Sequence, residues 1–168
     1  MPIISTDILF RLSGGAANTD VNASLGGAKS STAVGTGLHN LFDVVSSAEA
    51  ASGDTEYRCI YVHNNHGTLT MQASKIWIAT NTPSTDTSVE IGLGSSAVNG
   101  TEQTVANENT APTGVTFSAP ASAGAALSIG DIPAGQHKAV WIKRIVNAGA
   151  AAYNNDGATI TVQCDTAA

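Results

Sequence analysis

Four histidines, two cysteines and a scatter of carboxylates are the residues of this chain that could do chemistry. His63 and His66 stand three apart, a spacing that can place two imidazoles on one zinc ion. No cysteine lies near them and His137 opens a separate strand, so they are expected to be loop histidines and no metal is expected. Serine is abundant, yet no G-x-S-x-G elbow occurs to present one as a nucleophile. Asp54 and Glu56 straddle a strand start, and Glu102 and Glu108 fall in a loop. None follows the alternating ligand pattern of a calcium loop. No glycine-rich turn has the strand-to-helix setting that cradles a phosphate. The expectation is a protein with no catalytic site and no cofactor.

Arg58, Trp141, Lys143 and Arg144 form the remaining cluster, four large residues in two strand candidates. Arginine and tryptophan are favoured at subunit contacts, where a guanidinium pairs with a neighbour's carboxylate. These four are the candidate interface residues. Cys59 and Cys164 lie far apart in alternating runs and are expected to be small core residues rather than a disulfide.

The elements that must carry these residues are strands. Among 168 residues, 12% are charged and 5% aromatic, with 17 glycines and a net charge of −6. That is too apolar for a disordered tail and too poor in Leu, Glu, Lys and Arg for a helical bundle. An acidic chain does not wrap a phosphate backbone, so nucleic acid is not an expected partner. No run approaches a membrane-spanning length, so neither is a membrane. No basic segment followed by an apolar one opens the chain, which reads as made in a cytoplasm.

Residues 3–12 read as a strand. Residues 13–37 are rich in Gly, Ala, Ser, Thr and Asn, and read as an extended arm or long loop ordered by a neighbour. Leu38, Leu41, Phe42 and Val45 have the spacing of one helix face, although an irregular segment fits as well. Residues 46–51 tolerate helix, with Gly53 to end it. Strands follow at 56–64, 68–71, 74–79, 89–93, 127–132, 137–146 and 158–164. The runs at 56–64 and 137–146 are apolar on both parities, so each needs cover on both faces. The last run alternates Ala158, Ile160, Val162 and Cys164 with polar residues. The reading is all-β: one sandwich or jelly roll of seven or eight strands over residues 38–168, preceded by the arm at 1–37.

The stretches GDTEYRCIYVHN (53–64), ANENTAPTGVTFSAP (106–120) and IPAGQHKAVWIKRIVNAGA (132–150) resemble a family of tailed-phage virion structural proteins. The resemblance covers residues 38–168 and is one of strand and turn residues, so it carries over no site residue. It implies a decoration, or cement, protein bound to the outside of the capsid, with the major capsid protein and further copies of itself (a dimer or trimer) as partners. A neck, tail or baseplate component is the first alternative. A glycan- or receptor-binding module, with Tyr61, Trp77 and Tyr153 as its aromatic residues, is the second.

Overall fold

β-branched and aromatic residues repeat at a period of two through most of the second half of the chain, and these runs become the strands. The computed structural model describes residues 2–166. Nine strands are present among them: β1 (Ile8–Leu12), β2 (Gly26–Gly27), β3 (Asp54–Asn64), β4 (Met71–Thr80), β5 (Thr87–Leu93), β6 (Glu102–Thr104), β7 (Leu127–Ile132), β8 (His137–Val146) and β9 (Thr159–Thr166). They make a four-stranded sheet ordered β1-β3-β8-β5, a three-stranded sheet ordered β7-β4-β9, and the short pair β2-β6. Every strand pairing is antiparallel. The protein is an all-β sandwich. Among the described residues no helix is long and apolar enough to cross a membrane.

The core lies between the two larger sheets. Ile60 and Val62 of β3, Val140 and Ile142 of β8, and Val89 and Ile91 of β5 meet Met71, Ile76 and Ile78 of β4 and Ile129 and Ile132 of β7. Ile160, Val162 and Cys164 of β9 pack against the same cluster, while Thr161 and Gln163 alternate to the other side. Each isoleucine or valine so covered contributes about 1.5–3 kcal/mol of apolar burial. In β4 the register shifts between Met71 and Ser74, where Ala73 takes φ +46° and donates its N–H to Asp131. This bulge joins the two separate strands read from the sequence into one.

Residues 13–37, read as an arm or long loop, are hydrogen-bonded to the rest of their own chain. Residues 24–27 lie over the outer face of the four-stranded sheet, and residues 30–34 run along its β1 edge. Ser24 and Ser30 are fully buried. Leu12 and Ser30 exchange backbone bonds with residues of both segments, Leu12 N–H to Thr32 and Ser30 N–H to Leu12. The carbonyl of Ser24 accepts from Cys59 N–H, and that of Leu25 from Val105 N–H. Small side chains let this segment lie flat, so its backbone does the pairing that large side chains do elsewhere.

Of the two readings left open for residues 38–45 the irregular one holds, and the helix falls within the next run, ended by Gly53. Residues 38–45 are irregular: Leu41 is buried, whereas Leu38 is 65% exposed. The one α-helix among the described residues, α1 (Ser47–Ser52), starts where Ser46 and Glu49 cap each other reciprocally. Gly53 ends it at φ +78° and turns the chain directly into β3. Six residues of helix with no buried side chain take their stability from these caps.

Candidate functional site

Register places the four candidate interface residues on two faces of the same sheet. Trp141 pairs with Cys59 and Lys143 with Tyr57, so these point outward. Arg144 pairs with Glu56 and Arg58 with Ile142, so these sit on the core side, toward one end of the sandwich.

Arg58 and Trp141, two of the candidate interface residues, are both 0% exposed within the folded chain. Trp141 packs with Cys59, Tyr61, Ala139 and Val105, and Leu25, Tyr57, Val115 and Phe117 close over the group. The second face that the sequence requires to be covered is covered by the chain's own loops. Gly92 makes this possible: a Cβ there would lie 2.5 Å from Val115 and 2.8 Å from the Thr116 carbonyl. Lys143 remains partly exposed and pairs with Glu90 at 2.9 Å.

The arginines hold the end of the sandwich shut. Arg58 pairs with Glu108 and donates to Asn22 Oδ1 at 3.1 Å. Arg144 pairs with Glu56 and reaches Asp43 at 3.3 Å. Phe42 lies beneath both guanidinium groups, 4.9 Å from that of Arg144 and 5.6 Å from that of Arg58. The basic residues therefore tie the 20s, 40s and 100s loops to β3 and β8. An Arg–carboxylate bond of this kind gains strength from burial but leaves a costly charge behind when one partner is removed.

A second polar tie sits under the outer layer. Tyr61 Oη donates to the Gly27 carbonyl at 2.5 Å and accepts from Glu102 N–H at 3.0 Å. Burial pushes its hydroxyl up to about 12. The Glu102 carboxylate accepts from Ser95 N–H, Ser95 Oγ and Ser96 N–H. Burial alone would raise its pKa, but these donors hold it at about 2.

Two of the four histidines serve the backbone. His63 Nδ1 lies 3.1 Å from the Gln136 carbonyl, and His66 Nδ1 accepts from the N–H groups of Thr68 and Leu69. Burial and the Lys29 charge lower the pKa of both His63 and His137. Cys59 and Cys164 are free thiols on opposite sides of the four-stranded sheet. The three aromatics considered for a sugar platform do not converge. Tyr61 is buried under the outer layer, Trp77 lies on the far side of the three-stranded sheet, and Tyr153 stands in an exposed loop.

Two features went unread in the sequence. A cleft of about 1320 Å³ lies between the 34–47 loop and the 149–160 loop. Leu38, Val44 and Tyr153, all among its lining residues, are 65%, 61% and 55% exposed. The second is a group of oxygens, one each from Glu49, Asp54 and Glu56, all within 4.8 Å of one another. The Ser46-x-x-Glu49 capping pattern was the available signal that Glu49 begins a helix facing β3. Compared with protein-family models, with curated proteins and with solved structures, the chain has no significant match.

Proposed function

We propose that the chain is a structural subunit of a tailed-phage particle, a decoration protein that binds the outside of the head and stabilises the shell. The reading starts from the strand-and-turn resemblance of residues 53–64, 106–120 and 132–150. The observation that carries it is how the large side chains are distributed. Arg58, Arg144, Tyr61, Glu102 and Trp141 are spent fixing loops to the sandwich, while Leu38, Val44 and Tyr153 stand exposed around one cleft. A sandwich whose four-stranded sheet is clothed on both faces, with an apolar rim at one end, suits a rigid part that docks onto a preformed protein surface. The rim takes the contact role first assigned to Trp141 and Arg144. Its partners in this proposal are the major capsid protein and further copies of the chain.

The test is a cryo-EM reconstruction of heads incubated with the purified protein, paired with co-sedimentation. Sandwich-sized density on the outer shell, and a loss of at least tenfold in affinity for Leu38→Ser with Tyr153→Ser, is the expected result. Density at the neck or tail would move the protein to that part of the particle. No binding to any part of the particle would overturn the reading.

A further inference from the structure

We propose that Glu49, Asp54 and Glu56 bind a hard divalent cation, with calcium the best fit. The inference is independent of any role in a particle, because it concerns three side chains of one chain.

Each carboxylate commits one oxygen to the fold. Glu49 Oε2 accepts from Ser46 N–H at 2.6 Å. Asp54 Oδ1 accepts from Thr55 N–H and from Asn109 Nδ2, both at 2.8 Å. Glu56 Oε2 takes the Arg144 guanidinium. Each then has a second oxygen to offer, and for Glu56 that oxygen is an orphan: Oε1 is buried with no hydrogen-bond partner among the described residues. Glu56 is 1% exposed. A buried carboxylate oxygen without a donor is rare in a folded protein and calls for an explanation, an ion being one. One carboxylate oxygen from each of the three residues lies within 4.8 Å of the others, close enough for one ion to reach all three.

Charge points the same way. Glu56 pairs with Arg144, but Arg144 also answers Asp43. The end of the sandwich thus gathers Asp43, Glu49, Asp54, Glu56 and Glu108 around two guanidinium groups, those of Arg58 and Arg144. All three proposed ligands are oxygens, with no imidazole or thiolate among them. That donor set selects calcium or magnesium over zinc. Calcium accepts irregular shells with bonds of about 2.3–2.6 Å, so oxygens up to about 4.8 Å apart can share it. Magnesium demands a tighter octahedron that one short turn through Gly53 does not supply. Glu49 and Asp54 are half-buried, and most of α1 is exposed, so the ion enters from the helix side and water completes its shell.

The test is isothermal titration of the EDTA-treated full chain with calcium chloride, then with magnesium chloride. One calcium per chain is expected, with a dissociation constant below about 1 mM and magnesium at least tenfold weaker. The melting temperature should rise by several degrees at millimolar calcium. Glu56→Gln breaks the bond to Arg144 and can fail through the fold, so Asp54→Asn and Glu49→Gln carry the test. Each should melt in EDTA near the wild-type temperature and weaken calcium binding at least tenfold, whereas the exposed control Asp165→Asn binds as wild type. A wild-type chain that takes up no calcium, or binding that survives both variants, overturns the proposal.

Discussion

The inner face of the four-stranded sheet packs Ile60, Val62, Val140 and Ile142 against a second sheet, while its outer face packs Trp141, Tyr61 and Cys59 against irregular chain. The inner cover is made of side chains that interdigitate. The outer cover is made largely of backbone, anchored by Ser24, Leu25 and Gly27 carbonyls and by the Tyr61 and Glu102 bonds. Apolar burial is non-directional and tolerates repacking, whereas a hydrogen-bonded cover depends on a few atoms being in place. The two faces should therefore fail differently.

The largest effect is expected at Trp141. Trp141→Ala removes the centre of the outer cluster and should cost about 3–5 kcal/mol in urea unfolding. A loss below about 1 kcal/mol would mean that the outer layer is a loose lid rather than part of the core. Because the side chain is enclosed by its own chain, the loss should be independent of protein concentration.

An acid titration separates the layers next. The folded Glu102 pKa of about 2 lies below the ordinary carboxylate value, so the folded state favours its ionised form. Its contribution is fully present above the ordinary value and is lost as the pH falls toward 2. At neutral pH Glu102→Gln should be less stable by about 1–3 kcal/mol, and the gap should close with acid over that window. Hydrogen exchange of the Gln103 and Gly27 amides would follow the same closure locally. A gap that is constant from neutral pH down to 2 would remove Glu102 from the account.

The smallest effect is expected inside. Ile142→Val deletes one methylene of the inner cluster beside Ile91, its register partner, and should cost about 0.5–1.5 kcal/mol, with no change in outer-layer exchange. If that single methylene loosened the β2-β6 pair, the layers would be coupled through the sheet.

The inner layer was legible because alternation is a local signal. The run Ala158, Ile160, Val162, Cys164 names its own buried face, and the double parity of β3 and β8 correctly demands two covers. What supplies the second cover was not legible. Residues 13–37 contribute carbonyls and flat backbone, and a run of Gly, Ser and Asn looks alike whether it is bound to its own sheet or to another chain. Basic residues beside Trp141 looked like a contact surface because their partners, Glu108, Asp43 and Glu90, lie some 50 to 100 residues away in sequence. Spacing alone did not choose between helix and irregular chain at 38–45: Phe42 is held beneath two guanidinium groups rather than on a helix face. The carboxylate trio escaped notice because Gly53 folds a helix residue against a strand, which no linear ligand pattern encodes.

The pairing of β3 with β8 also bears on when the protein can fold. His63 pairs with His137 and Asp54 with Val146, so the closest partners are more than 70 residues apart. These are the two middle strands of their sheet, and β1 and β5 add only to their outer edges. A growing polypeptide must therefore hold the strongly apolar segment CIYV (59–62) without its mate until β8 leaves the ribosome. Closing so long a loop before any contact rewards it makes for slow folding. During synthesis that exposed segment is the stretch most open to wrong pairing with another nascent chain, and the place where a chaperone would be expected to hold on.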